Sequence, residues 1–203
     1  MPETMNRCVV YIHGKGGSAD EARHYAPLFP GDTVIGFDYQ SQTPWEAKAE
    51  FPQFVDPLCG KYDAVRLIAN SIGAYFALHA LSDRPIEKAF LISPVVDMEQ
   101  LIRNMMAGAG VSEEELRRRG EIPTPFGETL SWAYLSYARS HPISWTIPTA
   151  ILYGAADALT SYETISAFAG RIGAELTVME AGEHWFHTEE QLRFLDAWIR
   201  ERR

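Results

Sequence analysis

Short apolar runs alternate along the chain with stretches of helical periodicity. Runs at 8–12, 33–38, 64–68, 89–93, 149–153 and 175–179 predict strands. The third, Ala64-Val65-Arg66-Leu67-Ile68, is a near-continuous run with no polar alternation, which suits a central strand covered on both faces. Between the runs the period changes. Asp20, Glu21 and Ala22 open a helix with Ser18 or Asp20 as N-cap, 45–58 predicts a helix broken near Pro52, and Ile72, Tyr75, Phe76 and His79 recur at helical spacing. A helix over 162–172 and a last one with the stripe Leu192, Leu195, Trp198 and Ile199 complete the series, the last opened by a capping box at Thr188 and Gln191. Strand, helix, strand in succession requires parallel connection. The pattern therefore predicts an α/β fold: an open, mostly parallel sheet of about six strands with helices on both faces.

The rhythm stops between Asp97 and Thr146. Met98, Leu101, Ile102, Met105 and Met106 form one helical stripe, Ser112 to Glu115 reads as a capping box, and Thr129 to Ser140 reads as a more apolar helix carrying Trp132. Glu113, Glu114 and Glu115 stand four residues before Arg117, Arg118 and Arg119, so that basic cluster is expected to be a solvated, self-paired helix face. One domain over 1–203 is expected, with 98–146 a helical lid inserted after a sheet strand.

Composition narrows the functions. The 203 residues carry a net charge of −9, which argues against nucleic acid as a partner. The two cysteines, Cys8 and Cys59, suit neither a disulfide scaffold nor a metal site. The N-terminus lacks a signal-peptide pattern and no run reaches membrane-spanning length, so a cytoplasmic protein with no membrane span is expected.

Candidate chemistry gathers where predicted strands end. The first strand runs into His13-Gly14-Lys15-Gly16-Gly17-Ser18, a loop of bare backbone amides that can cradle an oxyanion. P-loop spacing and the dinucleotide glycine order are both absent, so no nucleotide cofactor is expected, and no metal. Ala69-Asn70-Ser71-Ile72-Gly73 joins the third strand to a helix with small residues two before and two after Ser71. Those five residues alone read equally well as a helix-capping serine. Asp157 and His184 also follow strands, and a serine, an imidazole and a carboxylate together make an activated nucleophile. Asp97 and His187 are the competing acid and base; Asp157 and His184 are the better placed.

The serine turn, the His-Gly loop after the first strand, Gly154-Ala155-Ala156-Asp157 after the penultimate one and the chain order Ser, Asp, His together resemble the α/β-hydrolase fold over residues 8–200. The chain departs from that pattern in Ala69 and in having nothing before residue 8 for the two usual leading strands. The resemblance implies Ser71 as nucleophile, His184 as general base and acid, Asp157 as its orienting carboxylate, and an oxyanion hole from the Ile72 amide and that of Lys15 or Gly16. Gly14, Gly16, Trp132 and Trp185 are candidate substrate contacts. The expected function is a serine hydrolase acting on a small-molecule ester, thioester or other acyl substrate, without a cofactor. A peptidase, an acyltransferase and a non-catalytic binder are the alternatives.

Overall fold

Each of the six apolar runs becomes a strand in the computed structural model of the chain, which describes residues 5–203. In chain order the strands are β1 (Arg7–Ile12), β2 (Thr33–Phe37), β3 (Ala64–Asn70), β4 (Ile86–Ile92), β5 (Glu121–Pro123), β6 (Thr129–Ser131), β7 (Thr149–Gly154) and β8 (Glu175–Met179). The helices are α1 (Ala22–Tyr25), α2 (Pro44–Lys61), α3 (Ser71–Ala80), α4 (Met98–Ala109), α5 (Glu113–Arg119), α6 (Trp132–Ser140), α7 (Tyr162–Ile172) and α8 (Glu189–Arg202). The described residues pack as two compact units, 5–96 with 144–203, and 97–143.

In the first unit, among the described residues, six strands pair in parallel in the order β2-β1-β3-β4-β7-β8. The order reverses between β1 and β3, where ligands bind in open α/β sheets because the loops at the strand ends diverge. β1 is buried along nearly its whole length, with Cys8 to Ile12 all at 0% exposure. Register places Ile12 beside Ala69, so the glycine loop and the serine turn leave the sheet side by side.

The helix expected to break at Pro52 runs unbroken through Pro52 and Pro57. An interior proline costs about 3 kcal/mol. Phe51 and Val55 are fully buried along one face with Ala47, and each of the two larger side chains returns about 1.5–3 kcal/mol. With two interior prolines, that burial is of the same size as their combined cost, and the helix holds. Thr43 and Glu46 cap this helix reciprocally. Ser18, by contrast, makes no side-chain cap bond. A 3-10 turn, Ala19–Glu21, replaces the expected helix start. This turn presses on β2, where a Cβ on Gly36 would stand 1.9 Å from the Ala19 carbonyl oxygen.

In the second unit Asp97 caps α4 and Met98, Ile102 and Met106 form its buried stripe. The helix expected from Thr129 starts at Trp132, because Thr129–Ser131 pairs antiparallel with Glu121–Pro123. Ser112 accepts from the Glu115 N–H as a cap, and the Glu115 carboxylate turns to Arg119 at 3.1 Å. Glu113 departs from the expected self-paired face: both of its oxygens accept from Arg139, at 2.7 and 2.6 Å. Among the described residues no helix is long and apolar enough to cross a membrane.

Candidate active site

Strand β3 ends at Asn70 and α3 begins at Ser71 with no residue between them. Ser71 absorbs the reversal with φ of +50°, a conformation that costs a non-glycine residue energy. The crossing explains the small neighbours. A Cβ on Gly73 would lie 2.2 Å from the His13 carbonyl oxygen, so only glycine fits there. Ala69 sits between Ile12 and Leu91 in register and is fully buried, so the methyl that departs from the family pattern is accommodated inside the sheet. The Ser71 carbonyl accepts from Val95 N–H at 3.1 Å, while the Ile72 amide belongs to the first turn of α3, whose N–H groups have no partner within the helix.

Asp157 and His184 are drawn together by a close backbone approach. A Cβ on Gly154 would stand 2.3 Å from the Gly182 carbonyl oxygen, and Ala156 N–H donates to that oxygen at 2.8 Å. The Asp157 side chain is fully buried. Its Oδ1 accepts from the amides of Leu159 and Thr160 at 2.7 and 3.2 Å, and its Oδ2 lies 2.7 Å from His184 Nδ1. His184 Nε2 lies 2.8 Å from Ser71 Oγ. The three side chains thus form one hydrogen-bonded line. The competitors stand elsewhere: His187 lies near Glu183 and stacks on Trp185, and Asp97 accepts from the Gln100 amide.

The glycine loop is a tight turn. Gly17 N–H donates to the Gly14 carbonyl at 3.1 Å, and Gly16 holds the left-handed third position, φ +76°, as a type II turn requires. His13 stacks on Tyr39, which donates to the His13 carbonyl. Gly14 lies against the serine, a Cβ there meeting Ser71 Cβ at 3.2 Å.

No family model matches the chain. A curated relative, "Putative esterase/lipase 3" of Mycoplasma genitalium, is 27% identical over 106 residues, 46% of this chain and 38% of that protein. The match therefore spans well under half of the relative's length. Est1E from Butyrivibrio proteoclasticus superimposes with TM-score 0.77 at 20% identity, covering 98% of this chain and 87% of that one. Alpha/beta hydrolase domain-containing protein 10 from mouse gives TM-score 0.77 at 17% identity, over 96% and 88%. The chain has the α/β-hydrolase fold.

In this α/β-hydrolase fold a cavity of about 630 Å³ opens beside Ser71 and His184. Gly14, Lys15, Gly16 and Trp185 line it, and Trp185 is 72% exposed. Its lining mixes the apolar Ile92, Phe186, Leu192 and Leu195 with Tyr11, Glu21, Tyr25 and Asn70. Trp132 stands in the second unit, with the guanidiniums of Arg117 and Arg139 over its ring. The polar part of the lining is not among the residues the sequence singles out. Tyr11 lies inside an apolar strand run and Glu21 at a predicted helix start, and nothing in the sequence singles out Tyr25; the one local signal is the polar Asn70 at the tip of a buried strand. Among the described residues no group of three or more His, Cys, Asp or Glu is placed to hold a metal ion.

Proposed function

We propose that the protein is a serine hydrolase that cleaves a small carboxylic ester or thioester through an acyl-enzyme on Ser71. The observation that carries this reading is the line Ser71 Oγ, His184, Asp157, with contacts of 2.8 and 2.7 Å. Asp157 holds the imidazole with Nδ1 protonated, leaving Nε2 to accept the serine proton as Oγ attacks the acyl carbon. The tetrahedral oxyanion is met by the Ile72 amide and that of Lys15 or Gly16. Collapse breaks the bond to the leaving alcohol or thiol, which takes the proton from Nε2; water, deprotonated by the same nitrogen, then releases the acid and restores Ser71. The names of the curated relative and of the mouse structure point the same way, the one an esterase/lipase and the other a hydrolase-domain protein.

A cavity of about 630 Å³ suits a substrate of modest size. Gly14, Gly16 and Trp185 are assigned to its contacts, and Trp132 stays with the proposed lid, residues 98–146, an assignment that rests on the place of that segment in the chain. A fluorophosphonate probe and p-nitrophenyl esters of graded acyl length test the reading. Labelling and turnover by the wild type, both lost in Ser71→Ala, support it; a wild type that neither labels nor turns over any ester overturns it.

A further inference from the structure

Asn70, immediately before Ser71, donates from Nδ2 to the Tyr11 hydroxyl at 3.0 Å, and that hydroxyl donates to Glu21 Oε2. Tyr11 is fully buried, and its burial pushes the phenol well above its ordinary value, so the donor stays protonated at neutral pH. The Glu21 carboxylate lies over the glycine turn: a Cβ on Gly17 would fall 2.9 and 3.0 Å from its two oxygens. Gly17 closes that turn onto Gly14, and Gly14 returns to Ser71 and to the Asn70 carbonyl, 3.2 and 3.5 Å from a Cβ placed on it. The contacts form a closed circuit through Asn70, Tyr11, Glu21, Gly17, Gly14 and Ser71. Its members come from β3, β1, the 3-10 turn, the loop between β1 and that turn, and the first residue of α3.

We propose that Glu21 is a positioning residue, which through Tyr11 and Asn70 ties the glycine turn to the serine elbow and so fixes where the loop amides point. The inference rests on the reading of Ser71 as nucleophile with loop amides as oxyanion donors. Ordering a turn residue costs conformational entropy, and glycine most; a part-buried hydrogen bond between side chains held by the sheet and the 3-10 turn offsets part of that cost whether its acceptor is a carboxylate or an amide oxygen.

The test is steady-state hydrolysis of p-nitrophenyl butyrate by wild type, Glu21→Ala, Glu21→Gln, Tyr11→Phe and the double variant Tyr11→Phe/Glu21→Ala. In parallel, amide hydrogen exchange is followed over residues 13–18. Glu21→Ala and Tyr11→Phe are each expected to lower kcat by roughly tenfold or more with KM within about twofold, because a displaced loop loses transition-state contact. Glu21→Gln keeps an oxygen that accepts from Tyr11 and is expected to retain most of kcat. The double variant is expected to lose no more than either single one, since both cut the same link. Exchange over 13–18 is expected to rise in Glu21→Ala and Tyr11→Phe and to stay at the wild-type level in Glu21→Gln. A wild-type kcat in Glu21→Ala, a loss confined to KM, or equal damage in Glu21→Gln overturns the proposal. Should Ser71→Ala hydrolyse as fast as wild type, the reading of the nucleophile fails alone; unchanged exchange in both Glu21→Ala and Tyr11→Phe overturns the brace in either case.

Discussion

Gly154 and Gly182 touch backbone to backbone: a Cβ added to Gly154 would lie 2.3 Å from the Gly182 carbonyl oxygen and 2.4 Å from its carbonyl carbon. Both obstacles are main chain, so neither can swing aside as a side chain would. This contact lets the turn bearing Asp157 and the loop bearing His184 converge. Gly154→Ala is therefore expected to lose about 1–3 kcal/mol of stability through overpacking and to lower kcat/KM by roughly a hundredfold if the line of three side chains opens by about 1 Å. Thermal melting and ester hydrolysis by the same preparation check the two effects separately.

On the proposed mechanism, replacing Ser71 or His184 should abolish turnover without unfolding the chain. Ser71→Ala and His184→Ala are each expected to cut kcat by about a millionfold, and the double variant to lose little more, because the residues act as a unit. Asp157→Asn keeps the shape of a fully buried side chain while favouring the wrong imidazole tautomer, with an expected loss of roughly ten-thousandfold. Single-turnover kinetics on p-nitrophenyl butyrate rank the four variants.

Arg139 joins α6 to α4 and α5 by bonding Glu99 and both oxygens of Glu113. Those hydrogen bonds hold both carboxyls below their ordinary value of 4.5. A carboxylate with a depressed folded-state value contributes stability that is present above the unfolded value and is lost as pH falls through the folded one. Residues 97–143 should therefore loosen as pH drops below 4.5. Local opening energies over that segment, from exchange rates corrected for intrinsic pH dependence, should fall in acid for wild type and be low already at pH 7 in Arg139→Ala.

Cys8 lies at 0% exposure in β1, and burial pushes its thiol up to about 11. Cys59 is half-buried and its thiol is raised in the same direction, again by burial. Since the thiolate is the reactive form, Cys8 should resist Ellman's reagent at pH 8 until the protein unfolds, while Cys59 reacts slowly in the native state. Two rapid equivalents from native protein would contradict this.

The sheet was legible because each strand is an apolar run ended by a turn signal, and the turns after β1, β3, β7 and β8 carry the candidate residues. What the runs do not encode is distance. Whether Ser71, Asp157 and His184 meet depends on close approaches at Gly73, Gly154 and Gly182, and a glycine in a sequence does not say what it lies against. The Tyr11–Glu21 bond was hidden for a similar reason, since the two are ten residues apart and their link passes through a fold that brings a 3-10 turn over a strand tip. The short hairpin of β5 and β6 escaped because Thr129–Ser131 continues the apolar spacing of the helix after it. Pro52 misled because local propensity counts the lost hydrogen bond and not the buried face opposite.

Asp157 has both oxygens engaged and no contact with bulk water. Mobile ions weaken pairs they can surround, and this carboxylate offers them no approach. Concentrated salt should therefore dissolve peripheral pairs such as Arg23 with Asp20 while leaving the grip on the imidazole intact. On the proposed reading of Asp157 as the carboxylate behind His184, ester hydrolysis is expected to hold its rate in brine.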